Sequence, residues 1–170
     1  MIVLIILSLL IIAAYTAAVC IKGRGIPYSI SATFYALAHK WWFRFTMWIT
    51  PMLLMPAILE ISQPNTEFLA FLALVGMILV GCAPDYARDP LQHKLHISGA
   101  VMCIGFSQAW VAFNCWWVLL PIWGAYLIYT GIAIGRRKEG VFVYRFIQTK
   151  PMFWVEIAAL GATYSVLACI

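Results

Sequence analysis

Two histidines and two carboxylates crowd into one short stretch of an otherwise apolar chain. The segment APDYARDPLQHKLHISGA, residues 83–100, carries Asp85, Arg88, Asp89, His93, Lys94 and His96 between two runs with almost no charge. Histidines three residues apart on a helix share a face. Imidazoles beside carboxylates can hold a transition metal or relay protons. The metal-ligating combination open to this sequence is His93, His96 and Asp85 with His39, but a metal site ordinarily takes three or four protein ligands, and no spacing fixes them here. The same residues also have a plainer use. Asp89-Pro90-Leu91-Gln92 is helix-start chemistry, with a capping carboxylate, a proline at the first helical position and a glutamine at the third. Arg88 and Lys94 can simply orient the chain. His96 has the least ordinary explanation, because it falls where the helix enters lipid.

Two further charges lie inside apolar runs. Arg44 comes about one turn into the second run, and Glu156 about two turns into the last. Ionisable side chains at such depth are costly unless paired or hydrated, so they turn toward protein. Their depths allow an Arg44–Glu156 pair and a polar cavity shared with His96. In that arrangement Arg44 and Arg88 attract an anionic group, and His96, Asp85 and Glu156 orient it. Tyr28, Ser29 and Ser31 close the pocket.

The elements that must position these residues follow from composition. Of the 170 residues, 65% are hydrophobic and only 10% charged, against about 25% charge in soluble domains. Such a chain cannot cover itself with polar surface, and its natural solvent is lipid. Apolar runs of about 20 residues match the bilayer core as helices. Six are present, at about 1–21, 41–61, 67–83, 95–113, 117–135 and 152–170. The expected fold is therefore all-α, a single polytopic transmembrane bundle of six spans. The first run has no basic residue before it, and Lys22 and Arg24 follow it, which predicts a retained anchor and not a cleaved signal.

Charge sets the orientation. All eleven basic residues fall in or beside the loops after spans one, three and five: Lys22, Arg24, Lys40, Arg44, Arg88, Lys94, Arg136, Arg137, Lys138, Arg145 and Lys150. The opposite loops have none and carry Glu60 and Glu67. This predicts N-out/C-out. The net charge of +5 is then accounted for by topology and anionic lipid, and gives no argument for nucleic acid.

After the first span, Gly23, Gly25 and Pro27 break the helix. From Ser29 or Ser31, apolar Ile30, Phe34, Leu37 and Trp41 recur at helical spacing opposite Ser29, Thr33 and Lys40, predicting a short helix lying in the interface. Pro51 and Pro56 predict a kink in span two. His96, Ala100, Cys103, Ser107 and Asn114 form a small or polar stripe on span four, and Gly124, Gly131 and Gly135 a small face on span five, both suited to helix packing. The five cysteines contain no Cys-x-x-Cys pair, and Cys115 and Cys169 alone fall together at the outer face, where a disulfide is permitted.

Familiar chemistries are missing. There is no Gly-rich phosphate loop, no histidine-rich hydroxylase set and no facing mid-membrane histidines for haem, so the sequence specifies no cofactor. DYAR matches only the start of the CDP-alcohol phosphotransferase motif, whose later glycine and paired aspartates are absent. No serine has a base at a recognisable spacing, and no catalytic residue can be assigned.

PYSISATFYAL, the aromatic second span and GCAPDYARDPLQHKLHISGAVMCIGF together resemble the six-span superfamily of damage-regulated autophagy modulators and its bacterial relatives. The positions carrying the resemblance, within about residues 26–106, are Ser29, Ile30, Ser31, Pro84, Asp85, His96 and Ala100. That family places the corresponding loops outside, whereas the basic residues here place them inside. The resemblance implies a lipid-related membrane role.

Three functions stay open: a binder of a lipid headgroup or small polar ligand at the inner face, a structural or assembly subunit, and a proton-coupled carrier or enzyme using His96 and Glu156. The expected partners are membrane lipid and either a second copy or a larger membrane complex. The small size and scant tails suggest a bacterial inner membrane as the location.

Overall fold

The computed structural model describes residues 1–137 and 140–169. Lys138, one of the orienting charges, lies outside them. Seven α-helices account for most of the described chain: α1 Ile2–Lys22, α2 Trp41–Ile61, α3 Glu67–Cys82, α4 Pro90–Cys115, α5 Leu119–Gly135, α6 Phe142–Gln148 and α7 Pro151–Cys169. Short 3-10 turns occupy Ser31–Tyr35 and Trp116–Val118. Four helical stretches are long and apolar enough to cross a membrane: α1, α2, α7 and the continuous Pro90–Gly135 that contains α4 and α5. Helix α3 is apolar but shorter.

The tightest packing joins α3 to α4. A Cβ on Gly76 would stand 2.5 Å from the Cys103 backbone nitrogen and 2.6 Å from the Gly99 oxygen, and one on Gly99 would stand 2.8 Å from the Gly76 oxygen. Without a hydrophobic drive between helices in lipid, such close backbone approach is what gives van der Waals attraction its strength. Gly81 does the same for α2, admitting the Trp48 ring. The glycine face expected to pack lies elsewhere. Around Gly124, Gly131 and Gly135 of α5 there is open space, and Thr130 is the only buried residue of that helix. Helix α2 runs unbroken through Pro51 and Pro56.

Polar side chains tie the helices where lipid offers no water. Gln108 of α4 donates to the Ala159 carbonyl of α7 at 3.2 Å and accepts from Trp123 Nε1 of α5 at 3.0 Å. At one end of the bundle, Trp110 Nε1 donates to Ser62 Oγ at 2.8 Å, and Asn114 accepts from Gln63 N at 2.8 Å. Tyr164 of α7 donates to Ser8 of α1 at 2.9 Å. All five cysteines are free, Cys115 and Cys169 included.

Gly76→Leu is expected to lower the thermal midpoint in detergent sharply, since overpacking costs about 1–3 kcal/mol or more. Gly131→Leu is expected to leave it nearly unchanged. Equal effects would contradict the packing described.

Candidate functional site

The stretch 83–100 folds into a tightly bonded turn. Asp89 caps α4, accepting from Leu91 N at 2.8 Å and Gln92 N at 3.3 Å. Gln92 reaches back, accepting from Asp85 N at 3.1 Å and donating to Asp89 Oδ2 at 3.2 Å. His93 Nδ1 lies 3.2 Å from the Tyr86 carbonyl. His96 is 3% exposed, with Nδ1 2.9 Å from the Ala83 carbonyl and its ring stacked on Tyr86 at 4.2 Å. A neutral imidazole there donates to a carbonyl that has left the α3 helix. Tyr35 closes the other side, its ring edge against Tyr86 and its hydroxyl accepting from Ala87 N at 2.6 Å. Burial pushes the Tyr86 phenol above its ordinary range. The hydrogen bonds from Leu91 N–H and then Gln92 hold the Asp89 carboxyl below its own.

Glu156 stands apart from this turn. One of its oxygens accepts from Ile30 N and the other from Ser31 Oγ at 3.3 Å. Beside it, Phe153 N donates to the Tyr28 carbonyl at 3.0 Å. Residues 28–35 therefore fold back against the bundle, with only a single 3-10 turn, Ser31–Tyr35, among them. Their polar face turns inward: Ser29, Ser31 and Thr33 are all buried. Thr33 Oγ1 bonds Tyr15 of α1 at 2.5 Å. This corrects the interfacial helix, which is only the single turn Ser31–Tyr35. Charge neutrality along that turn made the polar face look solvated, but its partners are Glu156 and Tyr15.

Above Ile30 and Ser31 a cavity of about 100 Å³ opens between α1, α2, α3, α4 and α7. Its walls are apolar, formed by residues such as Ile12, Met47, Leu54, Leu74, Met77 and Trp110. Glu156 is the only formally charged residue lining it. The Ser107 and Thr163 hydroxyls donate to their own preceding turns, while the buried Thr50 hydroxyl has no partner.

Of the expected ligand-binding residues, Glu156 and Ser31 line this cavity, joined by Ala100, Cys103 and Ser107 of the small and polar stripe on α4. Tyr28, Ser29, Asp85, Arg88, His96 and Arg44 do not. Arg44 is exposed on α2, so the Arg44–Glu156 pair is not formed. The carboxylate is satisfied instead by the 30–31 segment, which no charge pattern revealed. Arg88, His93 and Lys94 rim a shallow surface groove with Tyr86 and Asp89. One Asp85 oxygen is buried without a hydrogen-bond partner. His39 is exposed, and no three His, Cys, Asp or Glu side chains converge among the described residues, so the metal-ligating combination of His39, Asp85, His93 and His96 does not assemble. Gln108 and Thr50 escaped the sequence reading, although a glutamine in mid-span is itself a signal of interhelical bonding. Compared with known families, characterised proteins and solved structures, the chain has no match.

His96→Ala is expected to destabilise the protein by about 1–3 kcal/mol, the usual cost of orphaning a buried partner, read as a lower thermal midpoint. For Asp89, whose folded carboxyl titrates low, the cap's contribution is full at neutral pH and disappears as pH falls through that lowered value. Asp89→Asn keeps an acceptor that cannot be protonated in this range, so the acid-side loss of thermal stability is expected to shrink. An unchanged pH profile would contradict that role for the cap.

Proposed function

We propose that this is a six-span integral membrane protein, with its basic loops inside and both termini outside, that binds a small amphiphile between its helices. The ligand's apolar body occupies the cavity and its polar end meets Glu156. The observation that carries this is the cavity itself: apolar walls from five helices converge on one carboxyl group with no internal counter-charge. Ligand sites are typically of this kind, mostly apolar with a few placed polar groups. A buried polar group costs stability unless fully compensated, and the two hydrogen bonds from Ile30 and Ser31 leave part of the carboxyl group's acceptor capacity unused.

The inner-face pocket expected from Arg44, Arg88 and His96 gives way to this site. Arg44 and Arg88 face outward, and His96 is engaged in the α3–α4 turn. The lipid-related role implied by the autophagy-modulator resemblance is compatible with an amphiphile as ligand.

The test is mass spectrometry of protein extracted gently in native lipid, with Thr50→Trp as the cavity-filling variant. A stoichiometric small molecule or lipid is expected on the wild type and lost from a folded Thr50→Trp. Identical contents in both preparations would sink the proposal and return attention to an assembly role through the open glycine face of α5.

A further inference from the structure

We infer that the amphiphile is a lipophilic monocation, an amine with one slim apolar body, whose ammonium group pairs with Glu156 at the cavity's end. This rests on the cavity reading above and narrows it to one chemical class.

Three features select that class. First, both Glu156 oxygens are placed as acceptors toward the protein, and a cationic donor is the partner that stabilises the ionised carboxylate, giving the strongest bond in a low-dielectric setting. Ile30 N and Ser31 Oγ supply one hydrogen bond to each oxygen, which orients the carboxylate and leaves lone pairs for a ligand. Second, the lining holds no Lys, Arg or His, and Arg44 and Arg88 are exposed. Among the described residues the lining therefore provides no counter-cation, and an anionic headgroup would meet no favourable charge there. Third, the walls are apolar and include Met47 and Met77, whose flexible thioethers adapt to varied hydrocarbon shapes. A volume of about 100 Å³ lies below the roughly 150 Å³ of apolar cavities that take up benzene, so it suits a short chain and excludes a ring or a two-chain phospholipid.

The experiment is a ¹⁹F NMR titration of the protein in zwitterionic nanodiscs. The probes are 3-fluoropropylamine and its neutral near-isostere 3-fluoropropanol, with protein-free nanodiscs as the partition control. The wild type is expected to bind the amine about tenfold or more tightly than the alcohol, in keeping with a charge-assisted bond in a dry site. Glu156→Gln keeps a carbonyl oxygen for Ile30 N and is expected to abolish the preference while retaining alcohol binding. Glu156→Asp is expected to keep part of the preference. Equal binding of both probes by the wild type would overturn the cation assignment and leave the cavity proposal standing, and this comparison needs no variant to fold. A preference that survives in Glu156→Gln would overturn the role of Glu156. If the wild type binds neither probe, both proposals fall.

Discussion

A carboxyl group two turns inside an apolar bundle must find its donors within the protein, because lipid has none to give. Here they come from the backbone of Ile30 and the hydroxyl of Ser31, on a segment that would otherwise be an ordinary loop. Meeting that single demand bends residues 28–35 beneath the helices. Once bent, the segment brings Thr33 to Tyr15, Tyr28 to Phe153 and Tyr35 to Ala87. Helices α1 and α7 and the 83–89 turn are thereby fastened at one end. The cavity owes its floor to the same event.

The opposite end is closed by neutral groups. Trp110, Asn114, Ser62 and Gln63 join α4 to the α2–α3 turn without any charge. Between the two ends the chain relies on contact between backbones, concentrated at Gly76 and Gly99, and on Gln108 reaching two neighbours. Helix α5 shares little of this. It touches the body through Gln108 and α7 and presents most of its surface outward.

Helix positions were readable because apolar length is a blunt and strong signal. The second run, 41–61, coincides with α2, and the others agree to within a few residues apart from the start of α4. That start was itself legible from Asp89, Pro90 and Gln92, whose capping chemistry is local. What escaped was every partnership across long sequence distances. Arg44 and Glu156 looked paired because both are charged and similarly deep, yet a neutral backbone donor can satisfy a carboxylate as well as a guanidinium can. Ser29 and Ser31 were expected to close a pocket and Thr33 to lie on a polar helix face, but that Ser31 would meet Glu156 and Thr33 would meet Tyr15 left no trace in their spacing. The glycines of α5 looked like a packing face because spacing alone cannot tell a helix from its neighbour. His96 was correctly marked as unusual, but its partner, a carbonyl at the frayed end of α3, leaves no trace in residue type. The short α6 had no strong apolar period of its own to announce it.

The bond from Ile30 to Glu156 spans 126 residues, and that distance has a consequence for biogenesis. At about 5–20 residues per second, the ribosome needs about 6–25 seconds after making residue 30 to deliver its partner. During that interval the first helices are already in the bilayer while the 28–35 segment has nothing to dock against. Helix α7 thus completes a loop made more than a hundred residues earlier, and a chain cut short before α7 leaves residues 28–31 without their partners.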